Sequence, residues 1–227
     1  MNQTLLKIIQ SREDISNYLF HFTKGDKASE VLSSIIKCQK ILDIKKRGYI
    51  CFTETPVTLL TNMFKLFSDY NKPMYAPYGI AVKKDWLFEQ GARPVIYGLP
   101  KEKVIFPQSV QWRFVNYRPN VHDFSWLREW RIRNEIVQLS YENCFIIVPT
   151  SYECETFAFS DNMDFDIDGC IEDGIFHGSV EGYFSRSYKC ISLEDITNLK
   201  SLSKNELDSL INKQKQSDNI GKNLGWF

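Results

Sequence analysis

Apolar positions fall in short runs along this chain, and the spacing within each run separates strands from helices. Residues 18–23, YLFHFT, are aromatic enough for a short strand. Val31, Leu32, Ile35 and Ile36 follow at the i, i+3, i+4 spacing of an amphipathic helix, with Asp26 as its cap. GYICFT, 48–53, reads as a second strand. Thr55 as N-cap and Pro56 at the first helical position then open a helix to about Ser68. PYGIAVK, 77–83, is strand-like, KDWLFEQG is a short helix that Gly91 ends, and RPVIYG returns as a strand.

Residues 99–122 are loop-like, and WLREWRI and ENCFIIVPT predict two more strands. Gly, Asp and Ser crowd the segment 150–186, which predicts turns and short strands. YKCISLED closes a last strand, with Ser192 as a helix cap and Asp195 three residues on. Ser203 and Glu206 form a capping box for a polar helix near 204–214. The last dozen residues read as loosely held, although Trp226 and Phe227 are apolar for a tail. Early helices with a strand-rich second half predict an α+β fold rather than a doubly wound α/β one. The expected division is a single α+β domain over 1–200, then a C-terminal helix and tail over 201–227.

Composition narrows the chemistry mainly by exclusion. The 227 residues carry 28 basic and 28 acidic side chains, so no global field points to nucleic acid or an anionic membrane. Charges interrupt the first twenty residues, which predicts no signal peptide, no membrane span and a cytoplasmic location. Six scattered cysteines without a CxxC pair read as reduced thiols. Neither a Gly-rich dinucleotide fingerprint nor a GxxxxGK[ST] loop occurs. His122 and His177 show no zinc spacing, and no metal is expected. The acidic run 161–174 imitates a calcium loop through Asp164, Asp166, Asp168 and Gly169. Ile175 stands where such a loop needs a glutamate, so a solvated acidic turn is expected.

The densest stretch is DFSWLREWRIRN, 123–134. Alternation puts Leu127, Glu129 and Arg131 on one face and Arg128, Trp130 and Ile132 on the other. A carboxylate so bracketed is either a reacting group or half of an ion pair with Arg131 or a cross-strand arginine. Thr53 either closes its strand, with Glu54 favoured near a helix N-terminus, or contacts a ligand.

FHFTKGDKASEVLSSIIKCQKI, with His21, Phe22, Thr23 and the Leu32–Ile36 helix, resembles the opening of DarT-type and related ADP-ribosyltransferases. YAPYGIAVKKDWLFEQGARPVIYG, taken with CFTETP and DFSWLREWRI, resembles the AbiGi abortive-infection family over residues 18 to about 134. The chain departs from DarT in lacking an arginine-rich signature ahead of the glutamate, which leaves nucleobase specificity open.

The resemblance implies an ADP-ribosyltransferase-like core, about 18–192, of two small packed β-sheets with peripheral helices, and NAD as substrate. Glu129 would be the catalytic carboxylate, stabilising an oxocarbenium-like transition state. His21, Thr23 and Thr53 would lie on the NAD side, His21 at the ribose. Arg128 or Arg131 would grip the pyrophosphate. Tyr97, Trp126 or Trp130 would stack on nicotinamide, and Tyr78 offers another aromatic. The acceptor would be nucleic acid, a protein or water, in bacterial anti-phage defence. The alternative is a non-catalytic sensor or antitoxin-like module whose partner is another protein of a defence or toxin–antitoxin pair. Transfer requires His21 and Glu129 to bracket one pocket, roughly 8–12 Å apart on the scale of a nucleoside.

Overall fold

The computed structural model describes residues 16–68, 74–119, 121, 123–159, 163–184 and 188–223. His122, Asp161, Trp226 and Phe227 lie outside them, as does the segment before Ser16.

Among the described residues the strands are β1 Tyr18–Phe22, β2 Lys40–Leu42, β3 Ile50–Thr53, β4 Gly79–Lys83, β5 Arg93–Pro94, β6 Ile96–Gly98, β7 Phe114–Asn116, β8 Glu129–Ile132, β9 Ile136–Gln138, β10 Cys144–Val148, β11 Met163–Glu172, β12 Ile175–Phe184 and β13 Lys189–Ser192. The α-helices are α1 Ala28–Cys38, α2 Leu60–Ser68, α3 Lys84–Glu89, α4 Ser151–Phe159, α5 Leu193–Lys200 and α6 Lys204–Asn223. Seven strands form one sheet in the order β13-β10-β4-β1-β3-β8-β5, antiparallel except for β10 with β13. Three two-stranded pieces, β11-β12, β2-β9 and β6-β7, stand beside it.

The α+β class holds, but the two small packed sheets expected above do not. The central strands explain the difference. All of β10 is buried, as is β4 up to Val82, so these strands are apolar on both faces and need cover on both. On one face Phe20, Phe22, Ala81, Phe145 and Ile147 pack under Leu60, Met63 and Phe67 of α2, Ile196 of α5 and Ile211 of α6. On the other, Leu19, Ile50, Phe52, Ile80 and Ile146 pack under Leu32 and Ile36 of α1, Ile41 of β2, Leu87 of α3 and Val137 of β9.

Several local readings change. Lys27, not Asp26, holds the N-cap position of α1, without a side-chain cap. Thr55 does not cap a helix: its hydroxyl meets that of Thr53 at 2.8 Å, and Pro56 leads into a short 3-10 turn before α2. Ser192 caps α5, accepting from the Asp195 amide at 2.9 Å, and Ser203 forms the expected box with Glu206. The largest difference lies in 150–186, which holds a helix and a hairpin of two ten-residue strands rather than turns and short strands. Asp173 and Gly174, at φ 52° and 76°, make its two-residue turn, the Asp-Gly signal of a tight hairpin. Among the described residues no helix is long and apolar enough to cross a membrane.

A candidate site where two central strands part

β1 meets β4 at five registered pairs but β3 at only one, Phe20 with Thr53. Beyond that pair the strands diverge. His21 fills the gap: its Nδ1–H donates to the Cys51 carbonyl at 2.9 Å, replacing a ladder bond with a side-chain bond. Because a carbonyl can only accept, Nδ1 carries the proton and Nε2 of the neutral ring is left as an acceptor. Burial holds the His21 pKa below its ordinary value; the Cys51 carbonyl opposes that shift, while Lys24 and Arg47 add to it.

Next to the gap lies a cavity of about 420 Å³. Its apolar walls are Val31 and Ile35 of α1 and Ile41 and Leu42 around β2. Its polar lining comes from His21, Thr23 and Lys24 at the end of β1 and from the loop 43–49. That loop is held by Asp43, whose Oδ2 accepts from the Gly48 amide at 2.7 Å and whose carbonyl accepts from the Lys46 amide at 3.0 Å. Gly48 has φ 78°, a left-handed turn that glycine adopts without strain. Lys40, Lys45 and Arg47 join Lys24 in the lining. Burial lowers the pKa of Lys24, and the charges of Lys45 and Arg47 lower it further. Cations brought this close favour an anion among them.

Glu129 stands across the parting, outside the cavity lining. β3 and β8 place Thr53 opposite Glu129 and Cys51 opposite Arg131, so all four side chains share one face. Burial first, and then the charge of Glu129, pushes the Cys51 thiol up to about 12. Glu129 Oε1 accepts from Arg131 Nε at 2.8 Å. His21 belongs by alternation to the opposite face, its ring 5.7 Å from that of Phe52. Cys51 therefore lies between the two: its carbonyl accepts from His21, and its side chain shares a face with Glu129. Lys24 feels the charge of Glu129, and so does the half-buried Tyr75, whose pKa is raised chiefly by desolvation. Lys24 Nζ lies 4.9 Å from the centre of the Tyr75 ring.

The other residues named from the sequence scatter. Thr23 lines the cavity, but its hydroxyl donates to the Tyr78 carbonyl at 2.9 Å. The Thr53 hydroxyl donates to the Leu127 carbonyl. Tyr78 donates to Glu153 and lies outside the cavity lining. Tyr97 is nearer the site, its hydroxyl accepting from the Glu129 amide at 3.3 Å. Arg128 is exposed, in a left-handed conformation at φ 47° that ends the predicted strand; β8 begins only at Glu129. Arg131 is buried: Nη1 donates to the Trp112 and Phe114 carbonyls at 2.7 and 3.2 Å, and its guanidinium lies 4.2 Å from the Tyr49 ring centre. Trp130 donates to Glu54 at 2.7 Å, and Trp126 packs on Phe67.

Lys24, Lys45, Arg47, Tyr49, Cys51 and Tyr75 complete the surroundings without having been singled out from the sequence. Only the KKRG run, 45–48, signalled itself, as a block of cations directly before a strand. Comparison with protein-family models, curated proteins and solved structures found no match for the chain.

Proposed function

We propose that the chain is an NAD-consuming ADP-ribosyltransferase of bacterial anti-phage defence, with NAD bound across the parting of β1 and β3. The observation that carries this reading is the cation-lined cavity beside a neutral histidine, whose ring is held by the Cys51 carbonyl while the Cys51 side chain shares a sheet face with Glu129. Lys24, Lys45 and Arg47 supply charge for the pyrophosphate, and the apolar walls accept a ring. His21 Nε2 accepts from a ribose hydroxyl. Glu129 stabilises positive charge as the bond from ribose to nicotinamide breaks; the electron pair leaves with nicotinamide, and the acceptor's lone pair closes on the same carbon.

A second reading rests on the ion pair between Glu129 and Arg131 at 2.8 Å. Arg131 is tied to two carbonyls besides, so the pair can serve only to fix β8 against its neighbours. The chain is then a non-catalytic sensor or antitoxin-like module.

Release of nicotinamide from NAD by the purified chain, alone and with nucleic-acid or protein acceptors, separates the two. Turnover that Lys24→Ala and Arg47→Ala weaken through KM supports the enzyme. NAD binding without turnover under any condition supports the module. Turnover indifferent to both cations rejects the proposed binding mode.

A further inference from the structure

Among the described residues the strands of the hairpin β11–β12 pair only with each other, so neither outer edge joins a strand ladder. Register pairs Ile167 with Val180 and Ile171 with Phe176, and pair alternation puts these four on one face. They are 67, 55, 74 and 42 % exposed. Asp168, paired with Ser179, and Cys170, paired with His177, occupy the other face, as does Glu172. A two-stranded ribbon is marginal in water, and a third strand is the usual remedy.

Charge says what kind of third strand. Between Met163 and Phe184 the sequence holds six acidic residues and no lysine or arginine, which leaves 22 acidic against 28 basic residues elsewhere. A second ribbon of the same chain would set like charges against each other. Nucleic acid and anionic lipid are repelled for the same reason. A strand of alternating cationic and apolar residues suits both faces at once: its period of two lays apolar side chains beside Ile167 and Ile171 and cations beside Asp168 and Glu172.

We propose that the ribbon is a docking edge for an extended protein segment with lysine or arginine alternating with β-branched residues. This is independent of the chemistry assigned to the parting of β1 and β3.

The full chain titrated with a capped ten-residue peptide of alternating lysine and valine tests it, with binding read by fluorescence anisotropy and its position by amide hydrogen exchange. The expected result is saturable binding with new protection confined to 163–184. Asp168→Asn with Glu172→Gln, and separately Ile167→Thr with Ile171→Thr, each weaken it about tenfold or more. A lysine–serine peptide binds correspondingly less well, and a glutamate–valine peptide does not bind. Protection elsewhere, affinity unchanged in either double variant, no binding, or sedimentation showing that the chain dimerises through the ribbon would each overturn the proposal. Both double variants alter exposed positions, so unchanged thermal unfolding of the rest of the chain separates loss of docking from loss of fold.

Discussion

The His21 Nδ1–H reaches the Cys51 carbonyl at 2.9 Å across the place where β1 and β3 stop pairing. That bond makes the parting a fixed feature, because the carbonyl that a third ladder residue would have used is satisfied by a side chain. It also brings the Cys51 thiol, which shares a sheet face with Glu129, into the same local structure.

Glu129→Gln keeps the size of the side chain and removes its charge. In the transferase reading it lowers the rate of nicotinamide release by about 10²–10³-fold, measured under NAD saturation with the Gln variant folded. Equal rates in the two proteins would remove Glu129 from the mechanism.

Arg131→Met tests the structural side of the same pair. It strips two carbonyls of their donor and leaves the half-buried Glu129 without its cation. A loss of about 3 kcal/mol in urea unfolding is expected. The double variant with Glu129→Gln should recover part of it, and strict additivity would mean that the pair does not interact.

The depressed pKa of His21 gives stability a definite pH dependence. With its folded value below the unfolded value of about 6.5, the unfolded chain binds the proton more readily. The stability this group contributes is therefore complete above the unfolded pKa and is lost as pH falls through the folded one. Denaturation midpoints measured from pH 7.5 down to 5 should fall, and the fall should be shallower in His21→Asn.

A thiol pushed up to about 12 is almost wholly protonated at neutral pH. Iodoacetamide at pH 8 should label the exposed Cys38 and Cys170 well before Cys51, as read by peptide mass spectrometry. Early labelling of Cys51 would mean that the parting opens readily in solution.

Gly79 faces the end of β1 so closely that an added Cβ would lie 2.4 Å from Phe22 Cδ1 and 2.6 Å from the His21 carbonyl oxygen. Gly79→Ala should cost about 1–3 kcal/mol. Because the clash falls on the strand that carries His21, ligand binding in the adjoining cavity should weaken as well. Full stability and affinity in the variant would show that β1 can shift freely.

Apolar runs located most strands and helices, since each is short and bounded by Gly, Pro or a capping residue. Ser192 with Asp195 and Ser203 with Glu206 were legible because a cap is written within four residues. Sheet assembly was not legible: apolar character on both faces of β10 depends on α1, α2 and α5 arriving from distant parts of the chain. The hairpin was not legible because the Gly, Asp and Ser that crowd 150–186 read as turns, although Asp173-Gly174 between alternating segments is a hairpin signal in its own right. At the site, His21 and Glu129 could be named from their neighbours, but the face each occupies could not. Alternation through WLREWRI breaks at Arg128, and the His21–Cys51 bond joins residues thirty apart.

The strand order has a temporal consequence. β1, β3 and β4 sit together at the middle of the sheet, and β8 and β10 flank them on either side. A chain made from its N-terminus thus yields the central trio first and widens it in both directions as synthesis proceeds. His21, Lys24, Lys45, Arg47, Cys51 and Tyr75 all precede the end of β4 at Lys83, whereas Glu129 arrives with β8. On the ribosome, the cationic wall of the cavity is spelled out well before Glu129 and the arginine it pairs with.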